Sequence, residues 1–227
     1  MTDGHQINGY FQASDISRGA LQVSNQLQKS GFSAYIVGGA VRDLLLGSNP
    51  KDFDIATDAT PEQVKSCFRN ARIVGRRFRI VQVRAGREII EVTTFRGNHE
   101  PSDSDGHAKT AKSGRLLRDN VYGTLKQDAR RRDLTINALY YDCRSGTLID
   151  ELDGTRDIEA RLIRIIGTPE HRYREDPVRM LRVIRFAAKL QFDLESKTES
   201  AIGKTSSLLS EIPPARLFDE WLKLFMH

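Results

Sequence analysis

The 227-residue sequence has only two cysteines, Cys67 and Cys143. Neither sits in a Cys-x-x-Cys pair or beside a histidine pair, which removes a zinc-finger spacing and leaves reduced thiols of a cytosolic type. No apolar run approaches the length of a membrane span. Met1 to Ser14 lacks a basic n-region and an apolar h-region, so neither export nor a membrane partner is expected, and a cytoplasmic location is. There is no internal repeat and no low-complexity block. The length suits one large domain or two small ones. The net charge of +5 and pI of about 9.3 suit a nucleic-acid partner without proving one, and the arginines are clustered.

The most informative stretch runs from Gly38 to Thr57. A short apolar strand, Ala34 to Val37, leads into Gly38-Gly39 and then a helix that Gly47 would cap. Two glycines let backbone approach a bulky anion, the helix start offers free N–H groups, and Arg42 can fork onto phosphate. Asp52, Phe53, Asp54 and Ile55 then alternate. On a strand the two aspartates share one face and the two apolar residues face a core. Paired carboxylates repel, and a hard divalent cation relieves the repulsion while also taking phosphate oxygens. Phosphate grip followed by a carboxylate pair is a layout for metal-assisted nucleotidyl transfer. Singly, a Gly-Gly is a turn and an Asp-x-Asp a solvated loop.

Further along, a helix is expected over Ser17 to Ser30 and another after Thr60-Pro61-Glu62-Gln63, a capping box with proline at the first helical position. Ile73 to Arg84 reads as a strand broken by Gly75, forming a hairpin with the strand Glu88 to Phe95. Glu91 either points to solvent or serves as a third carboxylate beside Asp52 and Asp54. Gly97 to Gly114 is polar and reads as a loop. Asp128 to Tyr140 is helical by composition, which would put Asp133 and Asn137 on one face beside arginines. This is either a solvated basic helix or a site for ribose and triphosphate. Tyr141 to Asp150 reads as a hairpin and Leu162 to Ile166 as a short strand. A long helix over His171 to Leu190 would have Asp176 as N-cap, with Arg179, Arg182, Arg185 and Lys189 in a stripe facing solvent or a cleft. Asp176 and Arg179 together match the donor–acceptor order of adenine or cytosine and oppose that of guanine or uracil. Two more helices follow, the last strongly apolar from Leu217 to Phe225.

Gly38 to Gly47 with Pro50-Lys51-Asp52-Phe53-Asp54 resembles the catalytic motif of the class II nucleotidyltransferase superfamily, the bacterial poly(A) polymerases and CCA-adding enzymes. The likeness extends from about Gly31 to Leu224. It implies an α+β fold: a nucleotidyltransferase head over 16–171 with a small mixed sheet flanked by helices, then an all-helical neck over 172–227, after a loose N-terminus over 1–15. It implies two Mg²⁺ ions, with Mn²⁺ as a substitute, on Asp52, Asp54 and Glu91, with Asp133 joining the catalytic set. Gly38, Gly39, Arg42, Arg131, Arg132, Asp133, Asn137, Asp176, Arg179, Arg182 and Arg185 would bind the nucleotide. Val74 to Val83 looks like the signature that separates poly(A) polymerases from CCA-adding relatives, with Gln82 where histidine is common and Arg76 and Arg77 on RNA. The implied activity is AMP transfer from ATP to RNA 3′ ends. CCA addition to tRNA and an inactive nucleotide- or RNA-binding remnant are the alternatives. Family members continue into RNA-holding helical domains, so a shortened chain is expected here.

Overall fold

The computed structural model describes residues 11–75, 79–97, 108–110, 116–119 and 121–226. Arg76 and Arg77, the N-terminal ten residues and most of the polar 97–114 stretch lie outside the described residues.

A 3-10 turn (Ala13–Asp15) precedes α1 (Arg18–Lys29), whose N-cap Ser17 accepts from the Ala20 N–H. β1 (Ala34–Val37), α2 (Gly39–Leu45) and β2 (Asp54–Thr57) follow, then α3 (Pro61–Cys67). The α3 capping box is present as expected, with Thr60 and Gln63 bonding each other's backbone. The 73–84 stretch differs from the single broken strand expected. It is a hairpin of β3 (Ala71–Val74) and β4 (Ile80–Ala85), and Gly75, at φ +86°, ends β3 in a conformation a side chain would strain. β5 (Glu88–Thr94) pairs antiparallel with β4. A small ribbon, β6 (Ala108–Thr110) with β7 (Leu116–Asp119), lies partly inside the stretch expected to be loop.

The 128–140 expectation is corrected. α4 (Leu125–Arg131) stops at Arg132, and Thr135–Asn137 forms a 3-10 turn before β8 (Leu139–Asp142). Tertiary pairing overrides the helical composition here: Leu134 bridges Ile165, and the Asp133 carbonyl accepts from the Ile166 N–H. Asp133 and Asn137 therefore share no helix face. β9 (Thr147–Asp150) completes the expected hairpin, and α5 (Gly154–Glu159) and β10 (Leu162–Ile163) follow.

The long helix over 171–190 is two helices, α6 (Pro169–Glu175) and α7 (Val178–Leu190). Asp176 ends α6 in an extended conformation and Pro177 is the N-cap of α7, so α7 starts one residue later than expected. Proline drives its predecessor out of the helical region, which accounts for the break. β11 (Asp193–Leu194) pairs parallel with β10, a strand inside the neck that was expected to be all helix. α8 (Ser196–Thr205), a 3-10 turn and α9 (Pro214–Phe225) complete the chain.

The main sheet has the order β3-β4-β5-β2-β1-β8-β9, antiparallel except for the β2–β5 pair. α1 and α3 lie on one face. Their Val23, Leu27 and Val64 pack with Ile36, Ile55, Val81, Val83, Ile90 and Val92, all buried. Each such side chain contributes about 1.5–3 kcal/mol by leaving water. On the opposite face a smaller core joins Val37, Ala56, Phe95 and Tyr140 to Ala129 of α4. That second core covers only the β1–β8 side of its face, and the site begins at its border.

Candidate active site

The strand registers draw a single row across the sheet. Arg72 of β3 faces Gln82 of β4, Gln82 faces Glu91 of β5, Glu91 lies beside Asp54 of β2, and Asp54 faces Val37 of β1. Residues paired this way project from one face. Phe53 and Ile55 are buried on the other side at 7% and 0% exposure, so Asp52 and Asp54 point outward together. Gln82 Nε2 donates to Glu91 Oε1 at 3.0 Å, and Arg72 donates to Gln82 Oε1 from Nε and Nη2 at 3.2 and 3.1 Å.

The Asp54 carboxyl is pushed up to about 6 by burial first and the neighbouring Glu91 next, with Asp52 adding and Arg132 opposing. Among the described residues no three acidic, His or Cys side chains converge tightly enough to enclose a metal by themselves. The donor set still fits Mg²⁺, which takes one or two carboxylates and completes its shell with water and phosphate oxygens.

Beside the carboxylates is the turn into α2. Gly38 sits at φ +78°, where a side chain would be strained, and a Cβ there would lie 3.5 Å from Arg132 Nη1. Arg132 donates to Tyr140 Oη at 2.9 Å and to Asp128 Oδ2 at 3.1 Å, while Tyr140 Oη donates to the same Asp128 oxygen. The buried Asp128 and Tyr140 thus fix the half-buried Arg132 cation between the glycine turn and Asp54. Arg131 turns away from it, donating to the Gly97 carbonyl. Arg42 is only 2% exposed. Its Nε and Nη2 donate to Asp43, its Nη1 to Asn137 Oδ1 at 2.6 Å, and its guanidinium stacks 5.1 Å from the Phe186 ring centroid. In this structure Arg42 braces Asn137 and α7.

A second cluster forms where α6 and α7 meet the end of α4. Asp133 contacts Arg179 Nε at 3.1 Å and Arg182 Nε at 2.6 Å. Burial alone would raise its carboxyl, but Arg182, Arg179 and Arg172 hold it below the usual range. Glu175 is held low in the same way, against burial, by hydrogen bonding to Arg179 and by the charge of Arg172. Arg172 Nη2 donates to the carbonyls of Arg131 and Arg132, tying α6 to the end of α4. Asp176 Oδ2 accepts from Arg216 of α9 at 2.6 Å, while its Oδ1 is buried without a hydrogen-bond partner. Arg185 is not part of an open stripe. It is 8% exposed, donates to Glu220 of α9 at 3.0 Å and stacks on Phe186.

Asp52, Asp54, Glu91, Gly38 and Arg132 thus gather beside the sheet, Gly39 lies against the Arg42 guanidinium, and Asp133, Asp176, Arg179 and Arg182 gather around α6 and α7. Arg42 pairs with Asn137, and Arg185 lies apart under α9. Arg76 and Arg77 lie outside the described residues. Sequence reasoning grouped Asp128 with the arginines that follow it, and did not single out Arg72, Tyr140, Arg172 or Arg216. Arg172 and Arg216 have partners 40 residues away, and the partners of Arg72 and Tyr140 are set by strand pairing and by the break in the 128–140 segment, neither of which leaves a local signal.

Residues 34–164 match the family described as Poly A polymerase head domain, and residues 191–227 match one described as the probable RNA and SrmB-binding site of polymerase A. Poly(A) polymerase I of Haemophilus influenzae is 57% identical over 211 residues, covering 92% of this chain and 47% of that protein. The CCA-adding enzyme of Lactobacillus johnsonii is 39% identical over 210 residues, covering 92% of this chain and 50% of that protein. The crystal structure of the Bacillus stearothermophilus CCA-adding enzyme in complex with CTP superposes with a TM-score of 0.78 at 39% identity, over 91% of this chain and 48% of that one. The chain spans about half the length of the curated relatives it matches. With the match to the head-domain family covering more than half of its residues, the chain belongs to the poly(A) polymerase head-domain family of class II nucleotidyltransferases.

Proposed function

We propose that this chain carries a template-independent polynucleotide adenylyltransferase, which transfers AMP from ATP to the 3′-hydroxyl of RNA. The observation that carries the reading is the crowded carboxylate row, Asp54 beside Glu91 and near Asp52, set against the Gly38 turn and the fixed Arg132. Like charges held together gain nothing from folding unless a cation joins them. Asp52, Asp54 and Glu91 would hold two Mg²⁺ ions, replaceable by Mn²⁺, whose bound charge activates the attacking hydroxyl and stabilises the leaving pyrophosphate.

The chain's own residues do the rest. Gly38 and Gly39 let backbone approach the triphosphate and Arg132 adds charge to it, while Arg131, expected beside it, is engaged by the Gly97 carbonyl. Asp133 and Asn137 take the ribose hydroxyls. Arg42 acts by fixing Asn137, since its donors already go to Asp43 and Asn137. Asp176 accepts from the exocyclic amino group of adenine while Arg179 donates to the ring nitrogen, and guanine and uracil present the reverse order. Arg182 clamps Asp133, and Arg185 holds α7 to α9 through Glu220. On this reading 16–171 is the catalytic head, 172–227 the base-reading neck, and Arg76 and Arg77 RNA contacts, in a cytoplasmic protein.

CCA addition is kept as a second reading because the Asp176–Arg179 pair accepts cytosine as well as adenine. The test supplies Mg²⁺ and one labelled nucleotide at a time with oligo(A) or with tRNA lacking its CCA end. Repeated A addition with little C is expected. Addition of C, C and then A to tRNA alone would overturn the reading in favour of the CCA-adding one. Asp52→Ala and Asp54→Ala should each reduce transfer by at least about a hundredfold while leaving RNA binding intact. Full transfer by either variant would remove the carboxylates from the mechanism.

A further inference from the structure

The row of paired residues does not end at Glu91. Beyond it the same face runs over β4 and β3 into an open groove of about 810 Å³, lined by Arg69, Asn70, Arg72, Gln82, Arg84 and Ile89 among others. Arg69, Arg72 and Arg84 are exposed, and no acidic side chain lines the groove among the described residues. Ile89 is 62% exposed in its floor, an apolar contact among cations. Neighbouring strands are spaced about 4.8 Å apart, so Arg72, two strands from Glu91, lies about 10 Å from the carboxylates. Gln82 joins the two regions, accepting from Arg72 and donating to Glu91.

We propose that this β3–β5 groove is the track of the RNA primer, holding the single-stranded phosphodiester segment immediately behind the reacting 3′ end. The inference rests on the adenylyltransferase reading for its direction. In-line displacement requires the attacking hydroxyl and the leaving pyrophosphate to lie on opposite sides of the reacting phosphorus. The Gly38 turn and Arg132 take the triphosphate on the β1 side of the carboxylates. The primer then enters from the β5–β4 side, where the three arginines lie. Their charge matches a polyanion, and the groove is continuous with the catalytic row. Arg69, Arg72 and Arg84 meet phosphates, and Ile89 offers an apolar surface to a base. None of these contacts reads sequence.

The experiment uses the full chain. Arg69→Gln, Arg72→Gln and Arg84→Gln are made singly and together, and binding of a fluorescein-labelled oligo(A) is followed by anisotropy over a range of salt. ATP binding and thermal stability are measured on the same samples. Each lost phosphate contact on a single strand lowers the slope of log K against log salt by about 0.7. The triple variant should bind RNA at least about tenfold more weakly at low salt, with a slope reduced by about 2, while the Arg69→Gln, Arg84→Gln double variant, which leaves the Arg72–Gln82–Glu91 contacts intact, keeps the parent ATP affinity and melting temperature. Arg84→Gln alone, which leaves the Arg72–Gln82–Glu91 contacts intact, should show a share of the same loss. Unchanged RNA affinity and slope in the triple variant would overturn the proposal, as would absence of oligo(A) binding by the parent chain. A parent chain that binds RNA through these arginines yet transfers no AMP would sink the adenylyltransferase reading and leave the groove as an RNA site.

Discussion

At the scale of the residue, Asp54 shows most directly what the site costs. Its carboxyl titrates near 6 in the folded chain against an ordinary value near 4. Between those values the folded protein binds more protons than the unfolded one, so the charge of Asp54 destabilises the metal-free fold increasingly as pH rises through 6. Asp54→Asn should therefore stabilise the metal-free protein at pH 7.5, by about 1 kcal/mol once solvent screening is allowed for, and give no gain at pH 4. Urea titrations in EDTA at the two pH values check this. Mg²⁺ should reverse the ranking, stabilising the parent and not the variant. A pH-independent effect of the substitution would mean that Asp54 is not crowded by Glu91 and Asp52. The outward pair Asp52 and Asp54 was legible from alternation alone, because a strand's period of two needs no tertiary information. The partners of Arg42 and Arg185 were not, since Asn137 lies 95 residues from Arg42 and Glu220 lies 35 from Arg185.

At the scale of the element, capping signals were the most readable part of the chain. Thr60-Pro61-Glu62-Gln63 started α3 as expected, because a capping box satisfies its own backbone donors locally. The 128–140 segment was misread because its composition favours helix while the pull of Ile165 and Ile166 on Leu134 and Asp133 is tertiary. α7 and α9 were both expected, but not the buried Arg185–Glu220 pair between them. Glu220→Ala strands a buried guanidinium and should cost about 3 kcal/mol in urea denaturation. Replacing Arg185 with Met in the same chain should recover most of it, since no uncompensated buried charge remains and Lys223, which also loses Glu220, is exposed to water. If the double variant is as unstable as Glu220→Ala, the pair is not what holds these helices together.

At the scale of the whole molecule, one hydrophobic core runs from the sheet (Ile36, Ile55) to α6 and α7 (Tyr173, Met180, Phe186), and Asp133 with Arg172, Arg179 and Arg182 adds ionic ties across it, Glu175 bracing two of the arginines. Both carboxyls are held below their ordinary range. Their stabilisation is thus fully present above about pH 4.5 and is lost as pH falls through the lowered values. Acid should weaken the packing of the C-terminal helices at these ties before it melts the shared core. Trp221 on α9, the chain's one tryptophan, reports this by a fluorescence change preceding the loss of far-ultraviolet dichroism. Coincident transitions would mean that the two parts melt as one unit.

The parallel pairing of β2 with β5 carries a consequence for how the chain comes together. The hairpins β3–β4, β4–β5 and β8–β9 close over short turns, whereas β2 reaches β5 only after α3 and the intervening hairpin are in place. Non-local pairings of this kind cost the most chain entropy and form late. The contact that seats Asp54 beside Glu91 is the one that inserts β2 between β5 and β1. The repelling carboxylates therefore meet only when the two halves of the sheet are joined, and the site is absent from every species in which those halves are still apart.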